Sequence, residues 1–468
     1  MSEPFPPTDG SLQVEEREAL RRVAGLSTEL TDISEVEYRQ VRLERVVLIG
    51  VWTSGTAAQA ERSMQELARL AETAGAVVLD ALVQRRNTPD AGTYVGSGKA
   101  RELAELISAL DADTLICDGE LTPGQLSQLE KVVKVKVVDR TWLILDIFAQ
   151  HARSREGKTQ VELAQLQYML PRLRGWGEAM SRQAATGGGG IGALRGPGET
   201  KLETDRRRIR TQMARLRRQL AAMGRARTVQ RAERRRTGTP AAAIVGYTNA
   251  GKSSLLNRLT DAGVLVRDEL FATLDPTVRR ARTPSGREYT LSDTVGFVRH
   301  LPHQLVEAFR STLEEVHQAD VLVHVVDGSD PDPLGQLAAV REVLAEIDAG
   351  DIPQIIVVNK CEITPPAVLA EVRAQHPDAL AVSAATGEGI DELRDRIESR
   401  LPRPDVPVRV TVPFERGDLV SEIHEHGEVI TSDYSDHGTS IQALVPQRLA
   451  ARLTPFSDDP AVVNPDED

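Results

Sequence analysis

The sequence predicts an α/β protein, and three observations carry that prediction. Short apolar runs alternate with segments of helical period over residues 41–140, the pattern of a small α/β domain, and again over 238–402, where they suit a mainly parallel sheet. One such run, Ala241-Ala242-Ala243-Ile244-Val245, delivers the chain into a glycine-rich loop that opens a helix. Leucines at heptad intervals separate the two regions, so a helical hairpin lies between two α/β domains.

In chain order, residues 1–40 are Pro- and Glu-rich at first, with little periodicity before Leu20, and are expected to form a flexible acidic lead. The amino-terminal α/β domain over 41–140 has a buried strand at 46–49, an amphipathic helix over 57–74, a strand over 76–82, and further strands at 114–117 and 136–138. Its loop Tyr94-Val95-Gly96-Ser97-Gly98-Lys99 resembles a phosphate loop. Thr93 stands where the first glycine belongs, so a turn before a helix is expected. The hairpin occupies 141–237, with one stripe at Leu163, Leu166, Leu170 and Leu173 and the other at Ile209, Met213, Leu216, Leu220 and Met223. Between them residues 186–200 are too glycine-rich for a buried element and are expected to be a long flexible tip. After the domain at 238–402, a small α+β carboxy-terminal domain over 403–455 starts with the alternating Val408-Arg409-Val410-Thr411-Val412. A helix from Gly417 and strands near Val429 and Ile441 follow, then a disordered acidic tail over 456–468.

With 468 residues the chain is long enough for three or four domains. No apolar stretch reaches the ~18 residues of a membrane span, and Met1-Ser2-Glu3-Pro4 begins no signal peptide. Two cysteines, Cys117 and Cys361, show no metal spacing, so a reduced cytoplasmic protein is expected. A monomer is expected as well. The net charge of -12 argues by itself against nucleic acid, yet the charge is unevenly placed, with acidic ends and a basic middle.

Four stretches at the ends of apolar runs together predict a P-loop GTPase domain. Gly246-Tyr247-Thr248-Asn249-Ala250-Gly251-Lys252-Ser253 fits GxxxxGK[ST]: the glycines let backbone N–H groups converge on a phosphate, Lys252 reaches the β- and γ-oxygens, and Ser253 offers a hydroxyl to Mg2+. Asp293-Thr294-Val295-Gly296 follows an alternating strand. Asp293 supports the metal there, and Gly296 approaches the γ-phosphate. Between them, Phe271-Ala272-Thr273-Leu274-Asp275-Pro276-Thr277 reads as a mobile switch, with Thr273 as metal ligand and Thr277 as second choice. The catalytic set is thus Lys252, Thr273, Asp293 and Gly296, with no clear general base.

Asn359-Lys360-Cys361-Glu362 and Ser383-Ala384 read as the guanine site. Asn359 and Lys360 brace ring and loop, Glu362 accepts from the base, and Ser383-Ala384 supplies an N–H to its oxygen. Glu362 is one methylene longer than the usual aspartate, which predicts weaker guanine selectivity and room for some ATP use. Phe297 stands where many regulatory GTPases carry a water-orienting glutamine, so a partner or a cation must complete the site. Asn249 is either a ligand-side residue for K+ or a plain turn residue, and turn statistics leave both open.

Past the hairpin tip, with its Arg195, residues 206–236 carry arginines at 206, 207, 208, 210, 215, 217, 218, 225, 227, 231, 234, 235 and 236 with few acids between. A field of one sign suits phosphate backbones, and Arg195, Arg206, Arg207, Arg208, Arg210, Arg217 and Arg218 are the candidate RNA contacts. Aromatic residues make up 3% of the chain, so backbone and shape reading is expected rather than base stacking.

Arg195-Gly196-Pro197-Gly198-Glu199-Thr200, Leu202-Glu203-Thr204-Asp205-Arg206-Arg207, the loop at 246–253, the switch at 271–277 and the run from Asp293 to Pro302 together resemble the HflX family of translational GTPases over residues 41–450. The resemblance implies GTP and GDP as ligands, the large ribosomal subunit and its RNA as partner, separation of stalled or idle ribosomes under stress, and a hairpin tip that approaches the peptidyl-transferase region. A GTPase of ribosome assembly or RNA modification would share the nucleotide motifs and the arginines. Glu362 and the acidic ends depart from the family pattern.

Overall fold

The structure is a computed structural model. It describes residues 20–22, 45–185, 197–237, 239–260, 270–271, 273–274, 277–299, 310–402, 406–435 and 437–458. Contacts divide the chain into two units, with the change falling after Leu220.

In the first unit, β1 (Leu20–Arg22), β2 (Arg45–Trp52), β3 (Val77–Arg85), β4 (Thr114–Asp118) and β5 (Lys136–Asp139) form a sheet of order β1-β3-β2-β4-β5, parallel except for β1. The strand at Leu20–Arg22 lies within the lead expected to be flexible or partly helical. Three residues are too few for a sequence period, and only pairing with β3 makes them a strand. Helices α1 (Ala57–Thr73), α2 (Ser97–Leu110), α3 (Pro123–Val133) and α4 (Arg140–His151) connect the strands. Thr56 with Gln59 and Thr122 with Gln125 form capping boxes at α1 and α3, which satisfy N–H groups the first turn would leave open.

The loop before α2 is a turn. Tyr94 and Gly96 both take positive φ, and the buried Tyr94 hydroxyl donates to the Asp118 carbonyl at 2.6 Å, so the segment is a strut within the core. The hairpin follows as α5 (Arg155–Ala185) and α6 (Pro197–Thr237). Its seam joins Leu163, Met213 and Leu216 with Leu166, Leu170, Ile209 and Leu220, seven of the nine positions expected from the heptads; Met223 is not part of it, and the Leu173 side chain lies outside the described residues. Helix α6 begins at Pro197, inside the stretch expected to be a flexible tip through Thr200. Proline suits a first helical position because the N–H it lacks would be unpaired there anyway.

In the second unit, β6 (Ala241–Gly246), β7 (Thr277–Arg282), β8 (Glu288–Asp293), β9 (Val321–Asp327), β10 (Gln354–Asn359) and β11 (Leu380–Ala381) pair in the order β11-β10-β9-β6-β8-β7. All neighbours are parallel except β7 with β8. β6 and β9 are almost wholly buried, and their apolar runs reflect cover on both faces. Helices α7 (Lys252–Thr260), α8 (Arg310–His317), α9 (Pro333–Glu346), α10 (Pro366–Gln375) and α11 (Ile390–Arg400) connect or follow these strands.

Toward the carboxy terminus, β12 (Val406–Val412), β13 (Glu428–Ser435) and β14 (Gly438–Val445) form an antiparallel sheet. Helices α12 (Gly417–His426) and α13 (Gln447–Leu453) cover it over Val410, Val412, Leu419, Ile423 and Ile441. Ser457 bridges to Val410 and the Asp458 N–H reaches the Arg409 carbonyl, so the sheet's hydrogen bonding runs past residue 455.

His324 lies in β9, fully buried, with Nδ1 3.3 Å from Gln354 Oε1 and no partner at Nε2 among the described residues. Burial pushes its pKa down to about 4. The folded value lies below the unfolded one, so the neutral ring's contribution is present above pH 6.5 and is lost as pH falls toward 4. The shift corresponds to roughly 3 kcal/mol. A His324→Leu variant should therefore lose less thermal stability than the parent between about pH 7 and 4.5, and identical pH dependence of the two midpoints would refute this assignment.

Candidate nucleotide-binding site

The four motifs converge because five parallel strands present their carboxyl ends on one edge. Gly246 ends β6, Asp293 ends β8, Asp327 ends β9, Asn359 ends β10, and Ser383 follows β11. In open α/β sheets ligands bind at that edge, where neighbouring strands connect to opposite sides. Gly246 has φ 156°, and a Cβ there would lie 2.3 Å from the Val325 carbonyl oxygen. Gly251 has φ 89°, with the Asn359 amide nitrogen 2.2 Å from where its Cβ would be. Both glycines are required by crowding as well as by conformation.

The Phe297 N–H donates to the Gly246 carbonyl at 3.1 Å, and the Thr248 N–H donates to the Phe297 carbonyl at 2.8 Å. Phe297 thus stitches the phosphate loop to the segment after β8 while its ring is buried in the core. A side chain so placed orients no water. Tyr247 is buried, and its hydroxyl accepts the Arg299 N–H at 2.7 Å. Thr294 donates to the Ile244 carbonyl at 2.8 Å, and Val295, Phe271 and Leu274 are buried. Ala250 is buried and Asn249 is exposed at φ 60°, a left-handed position that asparagine tolerates. Ala272 and Asp275 lie outside the described residues, as does Arg195.

Lys252 and Asp293 are both buried. Lys252 Nζ donates to the Tyr247 carbonyl at 2.8 Å, and desolvation lowers its pKa to about 8 against a raising effect of Asp293. Desolvation likewise raises the Asp293 pKa, opposed by Lys252 and by the Ser253 hydroxyl. Ser253 Oγ donates to Asp293 Oδ2 at 2.6 Å and lies 2.8 Å from Thr273 Oγ1. Thr277 instead opens β7 in register with Asp293. Asp293 Oδ1 is buried and accepts no hydrogen bond among the described residues. Two hydroxyls beside an orphaned carboxylate oxygen form an all-oxygen donor set, which fits a hard divalent cation such as Mg2+.

At the base end, Asn359 donates from Nδ2 to the Ala250 carbonyl at 2.8 Å and accepts the Ala384 N–H at Oδ1 (3.0 Å). The N–H of Ala384, expected to serve the base, is thus engaged by Asn359. Ser383 is buried and its hydroxyl accepts from Thr386. Lys360, at φ 63°, donates to Asp327 Oδ2 at 2.6 Å. Glu362 is exposed on a short 3-10 turn (Cys361–Ile363), and burial together with Glu388 raises the neighbouring Cys361 thiol. Sequence reading passed over two residues here. Asp327 carried a signal, since it ends an apolar run as the other motifs do, whereas Arg258, which reaches the loop after β11 from α7, carried none.

Residues 61–149 match the family model for the GTP-binding GTPase N-terminal region, and 151–234 that for the GTP-binding GTPase middle region. Residues 241–360 match the model for a 50S ribosome-binding GTPase, and 368–454 that for the HflX C-terminal domain. GTPase HflX of Lacrimispora saccharolytica is 46% identical over 432 residues, 92% of this chain and 99% of that protein. GTPase HflX of Caldanaerobacter subterraneus is 45% identical, covering 88% of this chain and 94% of that one. GTPase HflX of Escherichia coli is 39% identical, covering 90% of this chain and 97% of that one.

A Cβ added at Gly296 would meet Thr248 Cα at 2.8 Å and Lys252 Nζ at 3.0 Å. Gly296→Ala should consequently displace Lys252 and lower GTP turnover by roughly tenfold or more, because misplacement of about 1 Å carries that scale of loss. Turnover within about twofold of the parent, measured as phosphate release, would remove Gly296 from the site.

Proposed function

The chain belongs to the HflX family of GTPases, and from that premise we propose that it is a translation factor that binds the large ribosomal subunit and separates stalled or idle ribosomes under stress. The observation that carries the proposal is that one chain holds both an arginine face on α6 and a complete phosphate loop. Arg207, Arg208, Arg210, Arg215, Arg217 and Arg218 are exposed and Arg206 is half-buried. Among the described residues these arginines make one ion pair, Arg208 with Asp205 at 3.9 Å. A solvated helix face mixes signs. This one does not, and it suits the phosphate backbone of ribosomal RNA. No described helix is long and apolar enough to cross a membrane. The reading places the work of the protein on ribosomes in the cytoplasm.

In this reading the N–H groups of residues 246–253 cradle the phosphates of GTP, and Lys252, desolvated beside them, meets a negative charge that restores its proton affinity. Ser253 and Thr273 would hold a magnesium ion with Asp293 behind them. When bound, such an ion would supply positive charge to offset the charge that develops on the phosphate oxygens. Thr273 lies in the segment between the phosphate loop and β7, so its hydroxyl links that segment to the γ-phosphate state. Glu362 accepts from the guanine nitrogens, while Asn359 holds the loops on either side. With Phe297 buried, backbone near Gly296 is left to orient the attacking water. The remaining acceleration comes from the bound ribosome or from a potassium ion beside Asn249. A group completing such a site in trans is worth roughly 10³ to 10⁵ in rate.

GTP and ATP turnover of the full chain, measured with and without large ribosomal subunits at matched salt, should show a GTP-selective rise of at least roughly tenfold with subunits. No rise would move the chain to ribosome assembly or RNA modification, and a rise with K+ but not Na+ would give the cation its share. Lys252→Ala should abolish nucleotide-dependent subunit binding and leave the salt-sensitive arginine contact in place; unchanged GTP affinity in that variant would refute the phosphate assignment.

A further inference from the structure

Of the buried serine and threonine hydroxyls among the described residues, one has no hydrogen-bond partner there: Thr248 Oγ1, in the phosphate loop. Thr290, Ser292 and Thr294, also buried, donate to the Pro240, Ala242 and Ile244 carbonyls. An unpaired buried hydroxyl destabilises a fold, and valine would fill nearly the same space without one. The hydroxyl at 248 is therefore matched to something the loop binds.

The surroundings of Thr248 name the ligand. Its N–H donates to the Phe297 carbonyl at 2.8 Å, which fastens the residue to the segment after β8. A Cβ built on Gly296 would lie 2.7 Å from Thr248 Cγ2 and 3.0 Å from Lys252 Nζ, so the threonine methyl and the ammonium flank one point over Gly296. With the methyl seated there, the stiffness of a β-branched side chain about its first torsion leaves the hydroxyl little freedom to turn. It is held beside the space between Lys252 and the Gly296 backbone, which is where the motif puts the γ-phosphate. Phe297, with its ring in the core, offers that space no polar side-chain atom, whereas Thr248 does.

We propose that the Thr248 hydroxyl is a catalytic group of GTP hydrolysis, orienting the attacking water from the phosphate loop in place of a side chain after Gly296; the proposal rests on the phosphate reading of this loop. The hydroxyl accepts a hydrogen bond from the water and donates one to a γ-phosphate oxygen, and the Gly296 N–H donates to the same phosphoryl group. The water oxygen bonds to the γ-phosphorus as the bond from that phosphorus to the bridging oxygen breaks, its electron pair leaving on GDP. The water proton passes to a γ-phosphate oxygen. Thr248 ends as it began, a neutral hydroxyl, because an alcohol is too weak a base to keep the proton.

The test measures single-turnover phosphate release from GTP by the full chain, without ribosomal subunits, for the parent, Thr248→Val and Thr248→Ser, together with the affinity of each for GDP. Thr248→Val should slow phosphate release by roughly tenfold or more and bind GDP within about twofold of the parent, since GDP lacks the phosphoryl group the hydroxyl contacts. Its thermal midpoint should equal or exceed the parent's, because the unpaired hydroxyl is gone. Thr248→Ser keeps the hydroxyl and should retain at least roughly a third of the parental rate. Phosphate release from Thr248→Val within about twofold of the parent would overturn the proposal. An equal loss in Thr248→Ser would overturn it too, by making the methyl wedge the active feature, and so would a weakening of GDP that matches the loss of rate, by making Thr248 part of the cradle alone. A parent that binds GDP yet releases no phosphate would remove the basal step and the proposal with it. A parent that binds neither nucleotide would instead bring down the phosphate reading on which the proposal stands.

Discussion

A buried ammonium, Lys252, and a buried carboxylate, Asp293, lie at the carboxyl ends of neighbouring strands with few protein groups to offset the water they have lost. Burial disfavours the charged form of each, which lowers the pKa of one and raises that of the other. An isolated pair of this kind is poor evidence for stability, since desolvation of two ions rivals their attraction. Its cost makes sense as preorganisation for ligands that bring the missing charge. Phosphate oxygens would complete Lys252, and a hard cation held by Ser253 and Thr273 would complete Asp293. The glycine conformations, the close packing around Gly296 and the burial of Phe297 follow from keeping this region dry and narrow.

The base half of the site depends on the phosphate half. Asn359 touches the Ala250 carbonyl on one side and the Ala384 N–H on the other, so the loops that would grip opposite ends of a nucleotide share one amide. Asp327 holds Lys360 beside it. Such shared hydrogen bonds couple the two loops, and a disturbance of either should be felt at both. Glu362 stands apart, exposed and without a partner among the described residues, which leaves its longer side chain free to fold back toward a base.

Some of the design was legible before any coordinates. The strand-to-loop transition at Gly246, the strand end at Asp293 and the heptad seam of the hairpin are local patterns, and the structure has them where the pattern placed them. Other features have no local signature. Leu20–Arg22 become a strand through β3, some sixty residues away in the chain. The loop at 94–99 carries glycines that mimic a phosphate loop, yet Tyr94 anchors it to Asp118. Thr273 and Thr277 are equivalent as letters, and the fold brings only Thr273 to the Ser253 hydroxyl.

The sequence by itself determined the fold class, the phosphate loop and the identity of the residue types at each strand end, because hydrophobic period, glycine placement and motif spacing are properties of short stretches. Only the tertiary structure decided that Phe297 is a core residue stitched to the loop, that Ala384 is spent on Asn359, and that Arg258 reaches across to two carbonyls more than 120 residues distant. Those outcomes depend on which strands lie side by side. A hydrogen bond between distant segments is set by sheet order, and sheet order is written in no single window of the chain.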